Sequence, residues 1–222
     1  MTRVSEAEHD PFRKMRLILE LRRSGITDND LLNAIEKLPR EQFVDPEFEE
    51  YAYDDVALPI ACGQTISRPS DVATIIYSLE LGKDRSCTIL EIGTGSGYLT
   101  ALMSRLARRI NTVDRYRTLV EAAKQRFDNL GLANIISQCS DGALGWPASA
   151  PFDRIVATCA LEDVPQVWLG QLKAGGMLIM PVGTNEDQRL MRYRKDKSGK
   201  ISSDAVGLSN FLHLVEGAAK EL

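Results

Sequence analysis

The amino-acid sequence predicts a doubly wound α/β fold, a mostly parallel seven-stranded sheet with capping helices before it and an antiparallel hairpin at its C-terminal end. Three observations predict it. Leu90 to Tyr98 reads Leu-Glu-Ile-Gly-Thr-Gly-Ser-Gly-Tyr, an apolar run that passes into three alternate glycines and then into a helical pattern. From Leu90 onward, short apolar runs alternate with helical stretches, the texture of parallel strands joined by crossover helices. Beyond Gly183, Arg189 to Arg194 alternates, Lys195 to Gly199 is a charged turn and Ile201 onward is extended again, which reads as an antiparallel pair.

Taken in order, the first ten residues are polar and are expected to be disordered, after which Phe12, Met15, Ile18, Leu19 and Leu21 recur at helical spacing up to a stop at Gly25. A second helix follows: Thr27 is placed to cap it, Asp28 and Asp30 suit its first turn, and Leu31, Leu32, Ile35 and Leu38 face inward before Pro39. Asp45-Pro46 starts a short third turn, and Pro69 opens a helix running to about Leu81. Strands are expected near 88–92, 110–114, 134–139, 153–158 and 176–182, with helices near 97–108, 116–130 and 164–172. Leu172 to Gly176 is read as a helix end and turn, its lysine serving solvent exposure only. Nothing divides the chain, so 1–222 is one domain: an N-terminal cap over 11–82, a binding core over 83–183 and C-terminal strands over 184–222.

Glycines at 93, 95 and 97 let the backbone turn tightly and approach a ligand closely. A dinucleotide fingerprint needs glycine or alanine three residues after Gly95 so that helix and strand pack beneath a pyrophosphate; that position is Tyr98. The G-x-G-x-G spacing with Glu91 before it instead resembles motif I of S-adenosylmethionine-dependent methyltransferases. Asp114 ends the next apolar run, 21 residues after Gly93, where a carboxylate at a strand tip can accept both ribose hydroxyls.

Composition narrows the function further. At 222 residues, 44% hydrophobic and 26% charged, with a net charge of -4, the chain has an ordinary globular balance and no basic footprint for nucleic acid. No apolar run approaches the ~20 residues of a membrane span and no secretory signal opens the chain, so a cytoplasmic location is expected. Cys62, Cys87, Cys139 and Cys159 are widely spaced and only His9 and His213 accompany them, so no metal site is expected; Cys62 and Cys159 are the cysteines placed to line a site.

Four segments, Gly63-Gln64-Thr65-Ile66-Ser67, Leu90 to Tyr98, Ser140 to Trp146 and Leu172 to Gly183, together resemble the protein-L-isoaspartate O-methyltransferase family. Arg22 to Ile26, Pro39 to Val44 and Leu58-Pro59-Ile60 extend the similarity over most of the chain, and the G-Q-T-I-S element is its most specific part. The resemblance implies a Rossmann-like fold and methylation, from S-adenosylmethionine, of the free carboxylate of isoaspartyl residues in aged proteins and peptides, by a monomer. It implies a catalytic role for Ser67 and cofactor contacts from Gln64, Thr65, Ile66, Glu91, Gly93, Gly95, Ser96, Gly97, Asp114, Arg115, Asp141 and Gly142.

Those residues suit that chemistry. A carboxylate of pKa near ~4 is already ionised at neutral pH, so methyl transfer to it needs no general base, and positioning and water exclusion dominate. Ser67 lies two residues before Pro69, so its hydroxyl is expected at a helix N-terminus, where free amides and the helix dipole attract a carboxylate; an N-cap is the structural alternative. Asp141-Gly142 follows a strand, where an acid can accept from an adenine amine and glycine admits the ring. Trp146 beside Pro147 reads as a packed loop anchor.

Departures from the family pattern fall on the acceptor side: Arg68 next to Ser67, Ser70 after the proline, Thr158 to Asp163 after the fourth predicted strand, and His213, whose default reading is a buried, satisfied histidine. They leave open a paralogue that methylates a different carboxylate of a peptide or small molecule. A non-catalytic module whose N-terminal helices engage a partner is the other alternative, opposed by the intact Ser67, and a nicotinamide oxidoreductase is opposed by Tyr98.

Overall fold

The computed structural model describes residues 12–81 and 85–219. Helix α1 (Arg13–Arg23) and α2 (Asn29–Lys37) lead into two 3-10 turns, Arg40–Phe43 and Pro46–Tyr51, and a small antiparallel ribbon of β1 (Leu58–Ile60) and β2 (Gln64–Ile66). Helix α3 (Pro69–Ser78) follows. The core then alternates as β3 (Thr88–Ile92), α4 (Tyr98–Ser104), β4 (Arg109–Asp114), α5 (Arg117–Asn129), β5 (Ile135–Cys139), β6 (Phe152–Ala157), α6 (Gln166–Gly170) and β7 (Leu172–Gly183), and ends with β8 (Gln188–Lys195) and β9 (Ile201–Leu208).

The main sheet has the order β5-β4-β3-β6-β7-β8-β9, parallel from β5 to β7 and antiparallel across β7-β8-β9. All five residues of β3 are buried, as expected of a central strand covered on both faces. Two apolar layers result. Ile89, Ile110, Val156 and Ile179 pack with α3, α4 and the N-terminal helices, while Leu90, Val113, Ile155 and Leu178 pack with Trp168 on the opposite face. The expected disorder of residues 1–10 lies outside the described residues.

Several expectations are corrected. Asp28, not Thr27, caps α2: its carboxylate accepts from Asp30 N at 2.8 Å and Leu31 N at 3.1 Å. The buried stripe of α1 is Leu17 and Leu21, with Ile18 packed beside them; Phe12, Met15 and Leu19 are exposed, because only the Leu17–Leu21 face meets α2 and α3. Helix α4 stops four residues early, where Asn134 Nδ2 caps its end through Ser104 O at 2.8 Å and Ala107 O at 3.2 Å and the chain turns back into β4. Residues 172–176 already belong to β7: Leu172 pairs with Phe152, and the register shifts before Met177 pairs with Arg154. Lys173 is therefore structural, its Nζ lying 2.9 and 3.0 Å from the two oxygens of Asp153, which also accepts from Thr88 N.

Candidate active site

The strand order reverses between β3 and β6, so the loops leaving their carboxyl ends diverge and open a crevice there. A cavity of about 720 Å³ occupies it. Gln64, Thr65 and Ser67 line it from the strap after β1, Gly93 and Gly95 from the loop after β3, and Asp114 and Arg115 from the end of β4. Gly142, Cys159 and His213 complete the far wall.

The glycine loop is shaped by its neighbours as much as by its ligand. Gly93 has φ 97, and a Cβ there would lie 2.5 Å from Thr158 Oγ1. Gly97, at φ 87, begins α4 against Phe127, whose ring would be 2.7 Å from an added Cβ. Gly97 thus serves helix packing and is not on the cavity wall. Ile66 and Ser96 are likewise nearly buried and face a narrow recess of about 30 Å³ beside it.

The three expected acids differ sharply in placement. Asp114 reaches the cavity and is held on both oxygens, Oδ2 accepting from Gly95 N at 2.9 Å and Oδ1 from Tyr116 N at 3.0 Å. Burial raises its pKa above the ordinary carboxylate range, opposed by those backbone N–H groups. Glu91 does not reach the cavity. Its side chain is fully buried beneath the glycine loop, Oε2 accepts from Thr100 Oγ1, Oε1 has no partner among the described residues, and burial pushes its pKa up to about 8. Asp141 turns back to accept from Ala143 N at 2.9 Å and leaves the wall to Gly142, where a Cβ would strike Ile92 at 2.7 Å.

Ser67 lines the cavity with a hydroxyl that bonds to none of the described residues, so it is not the cap of α3; the capping position is Arg68, without a side-chain cap. Two positions of that helix end do not supply the expected free amide. Pro69 has no N–H, and Ser70 gives both its N–H and its hydroxyl to Asp55, at 2.9 and 2.8 Å. Arg68 forks onto Asp71 at 2.9 and 2.8 Å at the cavity rim. The carbonyl of Ser67 accepts from Arg40 Nη2 at 2.7 Å, and the guanidinium carbon of Arg40 stands 4.6 Å above the Tyr98 ring.

His213 is on the wall rather than buried, because the backbone on either side of it pairs with Ala160: Ala160 N donates to Leu212 O at 2.8 Å and Leu214 N to Ala160 O at 2.9 Å. Cys159 lines the cavity, its thiol pushed up to about 12 by burial, whereas Cys62 lies outside the wall. No cluster of three metal-ligating side chains occurs among the described residues. Trp146 packs in the second apolar layer, away from the cavity. In the sequence, Thr158 reads only as the start of the departing 158–163 loop, Arg40 only as part of the Pro39–Val44 segment, and Asp55 is not singled out at all; each acts through a partner distant in the chain, and no local spacing announces such a contact.

The sequence matches the family model Protein-L-isoaspartate(D-aspartate) O-methyltransferase (PCMT) over residues 12–219. The chain belongs to this family. A relative named Protein-L-isoaspartate O-methyltransferase, from Xanthobacter autotrophicus, is 50% identical over 218 residues, 98% of each chain. Among solved structures, a protein-L-isoaspartate O-methyltransferase superposes with TM-score 0.79 at 29% identity, covering 90% of this chain and 65% of that one. A Plasmodium falciparum chain described as a protein-L-isoaspartate O-methyltransferase in complex with S-adenosyl-L-homocysteine has TM-score 0.79 at 23% identity, covering 91% and 98%, and shares the fold.

Proposed function

We propose that this protein methylates the free carboxylate of L-isoaspartyl residues in damaged proteins and peptides, using S-adenosylmethionine. The observation that carries this reading is the single cavity shared by Ser67 and Asp114 in a chain of this family. The wall suits such a donor: Gly142 packs without a Cβ against Ile92 where the wall is built, and Asp114, held by backbone N–H groups, retains carboxylate lone pairs for a hydroxyl. When bound there, S-adenosylmethionine supplies an electrophilic methyl group.

The chain's own residues then have three tasks. Asp114, with Gly93 and Gly95 leaving room for close approach, holds the donor's ribose. Ser67, whose hydroxyl is unengaged among the described residues, donates a hydrogen bond to the acceptor carboxylate and orients one of its oxygens. The strap from Gln64 to Ser67 covers the glycine loop and excludes water from both charged partners. No residue is asked to remove a proton, since the acceptor is already an anion at neutral pH.

We place the working enzyme in the cytoplasm as a monomer of one domain, without nucleic-acid or membrane partners. The net charge of -4 supports this, and no helix among the described residues is long and apolar enough to cross a membrane. The test is incubation with methyl-labelled cofactor and matched isoaspartyl and aspartyl peptides, scored as base-labile methyl ester. Label confined to the isoaspartyl peptide is the expected result. Label on another carboxylate alone would replace this acceptor with that of a paralogue, the reading that Arg68 at the rim favours.

A further inference from the structure

Arg40 is fully buried, and among the described residues no carboxylate forms an ion pair with it; the charge of Asp55 attracts it only from beyond contact. Its Nη2 donates to Ser67 O at 2.7 Å, while Nε and Nη1 have no partner among the described residues. Below it lies the Tyr98 ring, 4.6 Å away, and Tyr98 in turn meets Phe43 edge to face at 5.4 Å. Tyr98 is the first residue of α4, directly after the glycine loop. The guanidinium thus spans from the N-terminal cap to the acceptor strap on one side and to the donor loop on the other.

An unpaired buried cation is costly, and an apolar side chain of similar length would fill the same space more cheaply. A residue kept merely for packing would not carry that charge. What the guanidinium supplies, and an apolar chain cannot, is a directed donor to the Ser67 carbonyl on a planar group stacked against a rigid ring. The Ser67 hydroxyl bonds to none of the described residues, so its placement depends on how its main chain is held.

We infer that Arg40 is a positioning residue for methyl transfer: seated on Tyr98, it fixes the Ser67 backbone and so sets the hydroxyl in register with the donor loop. This rests on the role proposed for Ser67. It extends that role to a side chain that touches neither substrate nor cofactor and links the acceptor strap to the loop that holds the donor.

The experiment uses the full chain with isoaspartyl peptide and cofactor, the wild type serving as the control for the proposed activity itself. Arg40→Met is expected to lower kcat by about tenfold to a hundredfold, the scale of a misplacement near 1 Å, while KM for the cofactor stays within about twofold and the thermal midpoint does not fall. Arg40→Lys, which keeps a charge and a donor, should fall between Met and wild type. In a Ser67→Ala background, Arg40→Lys should cost less than about twofold, because the group it positions is gone. A folded Arg40→Met with wild-type kcat overturns the inference, as does an Arg40→Lys penalty equal in both backgrounds. Should Arg40→Met fail to fold, the Lys pair decides alone. An inactive wild type would count against the proposed acceptor, and the Arg40 inference falls with it.

Discussion

Thr158 Oγ1 donates to Gly93 O at 2.9 Å, which ties the loop after β6 to the first glycine of the loop after β3. The two loops flank the point where the sheet order reverses, and the bond holds the crevice floor in one shape. Gly93 sits at φ 97 with Thr158 Oγ1 only 2.5 Å from where a Cβ would stand. Gly93→Ala is expected to lose about 1–3 kcal/mol of stability and at least tenfold in affinity for S-adenosylhomocysteine. Chemical denaturation and titration calorimetry read the two effects, and wild-type values in both would remove the steric account of this glycine.

Ser67→Ala tests orientation separately from binding. Affinity for S-adenosylhomocysteine should stay within about twofold, while kcat on an isoaspartyl peptide falls at least tenfold, as expected when one ordering hydrogen bond is lost. Unchanged turnover would refute the role assigned to the hydroxyl.

Asp114→Asn keeps the shape of the side chain and removes its charge. It also exchanges one accepting oxygen for an amide that faces the N–H of Gly95 or Tyr116. Affinity for S-adenosylhomocysteine should drop by about 1.5–3 kcal/mol. Because burial raises the wild-type pKa, affinity should also weaken on the acid side at a pH above the ordinary aspartate range, and the Asn variant should lack that limb. A calorimetric pH series that is flat in the wild type would argue against a binding carboxylate here.

Glu91 gives the clearest pH signature. Its pKa rises from 4.5 to about 8 in the fold, so between those values the folded state holds a proton that the unfolded state has released. Its stabilising contribution is complete below pH 4.5 and is lost as pH climbs toward about 8. The slope is at most about 1.4 kcal/mol per pH unit. Glu91→Gln, neutral at every pH, should abolish this slope and make the variant the more stable form at pH 8.5. Parallel urea melts from pH 5 to 8.5 decide it; identical slopes in the two proteins would mean that Glu91 is ionised in the fold.

The alternation of apolar runs and glycines makes β3 through β9 legible in the sequence, because the central parallel strands β3, β4 and β6 are largely buried on both faces and each turn needs a punctuating residue; the edge strand β5 is only partly covered. The strap, the glycine loop and Asp114 converge on one cavity as their motifs imply. What could not be read is which face each side chain takes. Glu91 and Asp141 follow motif spacing yet turn inward to Thr100 and to Ala143 N, and the apolar spacing of α1 points to a stripe through Phe12, Met15, Ile18, Leu19 and Leu21, whereas Leu17 and Leu21 are the residues that become buried. Arg40, Asp55 and Thr158 act 27, 15 and 65 residues away from their own positions, on Ser67, Ser70 and Gly93, and such contacts exist only once the chain has folded.

The tie between Asp55 and Ser70 bears on what the pocket ignores. With the Ser70 amide and hydroxyl at its leading turn already taken by the protein's own aspartate, α3 has less to offer inorganic ions and ordinary side-chain acids. Discrimination is then left to the contour of the acceptor and the aim of one alcohol group, which suits a catalyst that must pick out rare lesions from a crowd of healthy aspartates and glutamates.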